Sequence, residues 1–178
     1  MSKDITEAPF ESSAALGAGQ AIAESPWVVL KFGGTSVSSV ESWETIARLV
    51  RARLDDGLKP VVVHSALSGV SNALEEILER AVAGGVGELL GKVVEQHYKL
   101  AKALGLDGEA LLQERMRELE QLVAGVRLVR EVSVRVRVRV MALGELLSTS
   151  LGAAFLVKKG LPATWMDARD LLTSRSRP

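Results

Sequence analysis

WVVLKFGGTS, residues 27–36, joins a short apolar run to two glycines and two hydroxyl side chains. Trp27 to Phe32 has the continuous apolar character of a strand covered on both faces. Gly33-Gly34 then turns the chain, and Thr35-Ser36 precede a long amphipathic stretch. Strand, glycine turn, hydroxyls and helix, in that order, present main-chain N–H groups to an anion. The phosphate-loop pattern with lysine after the last glycine is absent, because here the lysine comes first. Lys31 leaves the strand near its C-terminal end, facing the crevice where open α/β sheets bind ligands. Gly33 and Gly34 carry no side chain that would keep a phosphate off the backbone. Thr35 and Ser36 add donors ahead of a helix N-terminus, whose dipole favours negative charge. Taken alone, the stretch reads equally well as a Gly-Gly turn with a snorkelling lysine.

Outward from this stretch the punctuation is regular. Ser38 with Glu41 forms a capping box, and Val40, Trp43, Ala47, Val50 and Leu54 recur at helical spacing until Gly57. Lys59-Pro60 leads into a second buried-type strand, VVVHS, with proline restricted to its entry. It opens into ALSGVSN, where Ser65 sits at the strand's carboxyl end and Ser68, Gly69, Ser71 and Asn72 follow around the turn. Leu74, Ile77, Leu78 and Ala81 share one face of the next helix, which Gly84-Gly85 breaks. Two further helices are predicted near 86–104 and 109–126, joined by GLDG. Strand–helix–strand–helix order implies a parallel, open α/β sheet with flanking helices and right-handed crossovers. The helical pair is an insertion on it. Two successive strands that both end in Ser/Gly-rich turns build one wall of a polar small-molecule pocket.

EVSVRVRVRV, residues 131–140, alternates valine with serine and arginine, which by period alone is an amphipathic strand. Its basic face is either a solvated edge with arginines guarding against aggregation or an anion-binding stripe. A helix with a small-residue packing face follows, capped by Gly160, and LPATWMDAR reads as a last strand. Glu145 lies among apolar and small residues with Ser148 and Thr149 on the same helical face. It is either a partly exposed helix acid near the N-terminus or a carboxylate that accepts hydrogen bonds from an ammonium. His64 is expected to face away from Ser65 as a structural residue, and His97 to be a core-edge histidine.

Composition narrows the classes. With 178 residues, 47% apolar, and 22 basic against 22 acidic side chains, the chain suits one globular domain plus a tail. The balanced charge argues against a nucleic-acid binder. Without cysteine there is neither a disulfide framework nor a thiolate metal site, and two scattered histidines make no zinc site. No apolar run approaches the ~20 residues of a bilayer span. Residues 1–26 read as a flexible acidic, Ala/Gly/Ser-rich leader rather than an export signal, so a cytoplasmic protein is expected.

KFGGTS, VVVHSALSGVSN, ALGELLS and WMDAR, in this order, resemble the aspartate kinases of the amino acid kinase superfamily. The resemblance covers residues 27–177, and KFGGTS is its most specific motif. The leader, the inserted helices and GELLSTSLGAAFLVKKGLPATWMDAR look most like the kinase part of bacterial enzymes that fuse aspartate kinase to diaminopimelate decarboxylase. The resemblance implies phosphoryl transfer from ATP to the β-carboxylate of L-aspartate, with Mg²⁺ bridging phosphates. It implies Lys31 as the catalytic cation, and Gly33, Gly34, Thr35 and Ser36 along the phosphate path. Ser65 and Ser71 would hold aspartate, Ser71 standing where the family often has threonine, and Glu145 would bind its α-ammonium. L-Aspartate and ATP are the implied ligands, with neither nucleic acid nor membrane as partner, and homo-oligomerisation is compatible with it.

Two departures qualify the match. Relatives usually carry an acidic residue, and often proline, just before the Gly-Glu helix, where this chain has Arg-Val pairs. The family therefore expects a loop and helix start over 131–140 where the alternation suggests a strand, and the topology is taken from the family. The family's nucleotide-binding half and regulatory domains also lie beyond the last matched strand. Residues 27–178 are thus expected to be the N-terminal, incomplete portion of a kinase domain, inactive alone. The rival reading is a non-catalytic small-molecule-binding or assembly module on the same fold.

Overall fold

The computed structural model describes residues 25–171. Most of the predicted leader and the polar stretch after Leu171 lie outside the described residues. Strand β1, Trp27–Phe32, and strand β2, Lys59–His64, form a two-stranded parallel sheet in the register Val29↔Val61, Lys31↔Val63 and Phe32↔His64. Pro60 sits one residue inside β2, where its missing N–H is tolerated. Helix α1, Val40–Asp55, makes the crossover between the strands, as parallel neighbours require. Helices α2, Val70–Ala83, α3, Gly87–Ala103, α4, Gly108–Val129, and α5, Val134–Lys158, follow, and a single turn, α6, spans Ala168–Leu171.

Val28, Leu30, Phe32, Val62 and His64 alternate inward from the sheet, while Val29, Lys31, Val61 and Val63 face outward and are exposed. The inner face meets α1 and α5 through Trp43, whose ring lies edge-on to His64 at 5.2 Å and tilted to Phe155 at 6.1 Å. Helices α2, α4 and α5 pack on one another, and α3 lies against α2 and α4. Leu74, Ile77, Leu78, Leu112, Leu119, Leu143, Leu147 and Leu151 fill their shared interior, each at most 1% exposed. The inserted pair α3–α4 therefore completes the core.

Three readings made from the residues alone change, the first in favour of the loop and helix start that the family implies over 131–140. Residues 131–133 form a loop and 134–140 are helical. Ser133 caps α5, its hydroxyl accepting from the Val136 N–H at 3.2 Å, and among the described residues no strand lies alongside to receive a ladder. On the helix, Val136 and Val140 turn inward with Val132 packed behind them, while Val134 and Val138 are exposed. Two of the three arginines are paired and form no free stripe: Arg137 pairs with Glu75 of α2 and Arg139 with Glu118 of α4.

The predicted last strand, LPATWMDAR at 161–169, is irregular over 161–167 and enters α6 at Ala168. Trp165 donates its indole N–H to the Thr149 hydroxyl at 3.0 Å under the Arg115 guanidinium, and Asp167 accepts from the Arg169 N–H. The segment has no strand partner among the described residues. Lastly, the cap of α1 is Ser39, which accepts from Ser42 N–H at 3.2 Å, and not Ser38.

Helix α5 is long and apolar enough by composition to cross a bilayer. The run-length criterion missed this because charged residues interrupt the stretch. Eleven of its residues are buried against the other helices, which is how a central core helix behaves. Its end matches expectation: Gly160 has φ +74°, and the Leu161 N–H returns to the Leu156 carbonyl at 3.0 Å.

Candidate functional site

The two strands end side by side, so their turns rise from the same edge of the sheet. The last ladder bond runs from Ser65 N–H to the Phe32 carbonyl at 3.2 Å. Beyond it, Gly33 is extended and Gly34–Val37 forms a 3₁₀ turn closed by Ser36 N–H on the Gly33 carbonyl at 3.0 Å. Val37 is buried and anchors this turn, because the Trp43 indole N–H donates to its carbonyl at 2.9 Å. The second turn buries Ala66 and Leu67, and Gly69 at φ +80° redirects the chain into α2. A left-handed residue there favours glycine.

Between the turns lies an open cavity of about 290 Å³, lined by Gly34, Thr35, Ser65, Ala66, Leu67, Ser68, Gly69, Ser71 and Asn72. Its lining is chiefly hydroxyls and main chain at the N-terminus of α2, a combination suited to anionic oxygens. The two glycines of the first turn differ. A Cβ on Gly33 would meet nothing within 4 Å, so its backbone stays open to a ligand. On Gly34 it would lie 2.9 Å from the Ala66 carbonyl oxygen and 3.3 Å from Ser68 N. Gly34 is therefore required where the turns meet, besides any approach to phosphate.

Gly34, Thr35, Ser65 and Ser71 are thus brought together. Lys31 is exposed at the end of β1 on the outer face, without an ion pair among the described residues. Ser36 turns instead to a second depression of about 310 Å³ with Phe32, Glu41, Ser42, Thr45 and Ile46.

Glu145 is exposed in the middle of α5, not near its N-terminus. It does not share an environment with Ser148, which is fully buried, and the Thr149 hydroxyl donates to the Glu145 backbone carbonyl at 2.7 Å. Exposure removes the need for buried partners. Gly144 beside it packs against Ala66, Val70 and Leu74, with a Cβ position 3.1 to 3.3 Å from their side chains. That contact packs the residue before Glu145 on the second turn, while Glu145 itself is not among the residues lining the cavity.

His64 is buried below the cavity, Nδ1 lying 3.1 Å from the Ser65 carbonyl and 3.3 Å from the Ser148 hydroxyl. Gln96 of α3, which sequence reasoning missed, donates to the Ser68 carbonyl at 3.1 Å. No local signal marks it, since the contact spans 28 residues.

His97 is fully buried, more deeply than a core-edge position. Its Nδ1 donates to the Val93 carbonyl at 2.7 Å, and its Nε2 has no partner among the described residues. Burial pushes the His64 and His97 imidazoles below the ordinary 6.5, only partly offset by their carbonyl bonds. The unfolded chain then binds protons more readily than the folded one. Stability from this source is full above pH 6.5 and is lost as pH falls from there through the folded-state values. Carboxylates held low by hydrogen bonds, such as Glu88 and Asp167, add loss of the same sign only further into acid. Thermal melts are expected to be level from pH 8 to 7 and to decline between about pH 6.5 and 5. His97→Leu should flatten much of that decline, and a wild-type midpoint constant from pH 7 to 5 would refute the account.

Comparison with known proteins follows the same lines. The model of the amino acid kinase family matches residues 26–177. Aspartokinase 3, chloroplastic, of Arabidopsis thaliana is 38% identical over 148 residues, 80% of this chain and 26% of the relative. The aspartokinase of Chlamydia muridarum is 30% identical over 151 residues, covering 84% of this chain and 32% of its own length. The crystal structure of E. coli aspartokinase III in complex with aspartate and ADP superposes with a TM-score of 0.59 at 25% identity, over 79% of this chain and 31% of that one. The chain thus spans about a quarter to a third of the length of these relatives. Strand order, glycine turn and matched span agree, and the chain belongs to the amino acid kinase family, with aspartokinases among its relatives.

Proposed function

We propose that this chain forms the aspartate- and phosphoryl-binding part of an aspartate kinase, transferring phosphate from ATP to L-aspartate to give 4-phospho-L-aspartate and ADP. The observation that carries the reading is the cavity where Gly34 and Thr35 of one turn face Ser65 and Ser71 of the next. The solved complex of E. coli aspartokinase III with aspartate and ADP supports the ligand class.

In this reading Ser65 and Ser71 hold the amino acid, and Glu145 binds its α-ammonium. Main-chain N–H groups at Gly33 and Gly34 and the hydroxyls of Thr35 and Ser36 line the phosphate path. Lys31 opposes the charge on the phosphoryl group in flight. The β-carboxylate is already a nucleophile, so positioning and charge neutralisation suffice and no general base is needed. Among the described residues no cluster of three acids or histidines could hold a metal. Mg²⁺ in such sites is held largely by substrate phosphates and waters with one or two carboxylates, and no step is assigned to the ion.

Calorimetry on the 178-residue chain, with L-aspartate and separately with MgATP, tests the proposal. Aspartate is expected to bind, and Ser65→Ala or Glu145→Ala to weaken it about 10- to 100-fold, the loss of one charge-assisted hydrogen bond. An aspartate titration without heat would sink the reading. The chain is expected to bind aspartate without ATP- and aspartate-dependent aspartyl-hydroxamate formation, and a hydroxamate signal from it would overturn the expectation that this portion is inactive alone.

A further inference from the structure

Beyond Ser65 N–H the sheet no longer ties the two turns together, yet their main chains meet at Gly34 and Ala66. The bridge is one hydroxyl. Ser38 Oγ donates to the Gly34 carbonyl at 2.6 Å and accepts the Ser68 N–H at 2.9 Å. Its sequence neighbour Ser39 carries the capping of α1, so Ser38 is released from that task. From the opposite side, Gln96 of α3 donates to the Ser68 carbonyl. Both main-chain polar groups of Ser68 are therefore held from outside its own turn, one by the first turn and one by the inserted helical pair.

We propose that Ser38 is a positioning residue, with Gln96 as its second anchor, and that together they set the width of the cavity between Gly34–Thr35 and Ser65–Ser71. This rests on the reading of that cavity as the aspartate and phosphoryl site. A carboxylate or phosphoryl group bridging the walls needs its donors on both sides at hydrogen-bond distance, and a shift of even 1 Å weakens such a site strongly. The neutral hydroxyl suits the task because it donates and accepts at once. Alanine does neither, and leaves the Gly34 carbonyl and the Ser68 N–H without that partner. The proposal also assigns the α3–α4 insertion a role beyond filling the core: it brings Gln96 to the site.

The test uses the whole ¹⁵N-labelled chain as wild type, Ser38→Ala, Ser38→Thr, Gln96→Ala and the double variant Ser38→Ala/Gln96→Ala. Amide hydrogen exchange is read at Ser68, with Leu147 and Leu151 in α5 reporting global stability. Ser38→Ala is expected to speed Ser68 exchange about tenfold, the factor of one hydrogen bond, while the α5 amides change less than about twofold; Ser38→Thr should restore protection. Titration with L-aspartate should show about tenfold weaker binding in Ser38→Ala, recovered in Ser38→Thr. The double variant should lose less than the product of the single losses, because both act through Ser68.

Unchanged Ser68 exchange in Ser38→Ala would overturn the proposal, as would faster exchange with unchanged aspartate affinity. Absence of aspartate binding in the wild type would count against the substrate reading alone, because the exchange comparison decides the Ser38 bridge without ligand.

Discussion

Gly152→Val is expected to remove about 3 kcal/mol or more of stability, a large share of the roughly 5–15 kcal/mol of an ordinary domain. A Cβ on Gly152 would lie 2.2 Å from Trp43 Cη2, 2.9 Å from Cζ2 and 2.8 Å from His64 Nε2. The Trp43 ring cannot retreat. Its N–H is bonded to the Val37 carbonyl, and the His64 and Phe155 rings flank it in a side chain with no exposed surface. Movement of the indole would also release Val37 and with it the first turn of the site.

Alanine at 152 gains roughly 1 kcal/mol of helix propensity over glycine, but it still places an atom inside the indole contact. Two other helical glycines calibrate the effect. Gly144→Ala meets its neighbours at 3.1 to 3.3 Å and should cost less, whereas Gly125→Ala meets nothing within 4 Å and should stabilise. Urea denaturation should rank them Gly125→Ala, Gly144→Ala, Gly152→Ala, Gly152→Val from most to least stable. If Gly152→Ala matched Gly125→Ala, the proposed close crossing of α5 over Trp43 would be wrong.

Lys31→Ala is expected to lower kcat for phosphoryl transfer about 10²- to 10³-fold, the usual cost of removing one donor aimed at developing charge. The side chain stands at the end of β1, opposite Val63 in the register, with its ammonium unpaired among the described residues. Its assigned task is to oppose charge on the group in flight. The loss should therefore fall on kcat, while KM for aspartate moves little. Glu145→Gln should show the opposite split, since its assigned contact is to the bound amino acid in ground and transition states alike. The hydroxamate assay, run on a polypeptide that carries residues 25–171 and turns over, separates the two. A Lys31→Ala enzyme with unchanged kcat would remove the lysine from the mechanism.

Elements whose burial follows a simple period were legible from residues alone. The α1 and α2 helices announce themselves by Trp43, Ala47 and Val50 and by Leu74, Ile77, Leu78 and Ala81, all buried on one side of their helices. The short apolar runs of β1 and β2 became strands, although their outer face is exposed in the described chain. Of the candidate site residues, Gly34, Thr35, Ser65 and Ser71 meet at one cavity because both turns leave neighbouring strand ends.

Where periodicity and environment disagreed, environment won. Alternating Arg-Val fits a strand only if another strand is present to pair with it. Here Glu75 and Glu118 on neighbouring helices take Arg137 and Arg139, and Ser133 starts a helix. The segment 161–167 has no sheet edge beside it among the described residues, and Trp165 contacts Thr149 and Arg115.

The amino-acid sequence by itself determined the order of the elements from β1 to α4, the glycine turn after β1 and the family, since these depend on residues close together in the chain. Tertiary structure alone decided that Gly34 is needed against Ala66, that Ser38 bridges the turns while Ser39 caps, and that Gln96 reaches Ser68. Each of those contacts joins separate elements, up to 32 residues apart for Gly34 and Ala66. Hydrogen-bond direction and atomic clearance exist only once the chain has folded, and no local period encodes them.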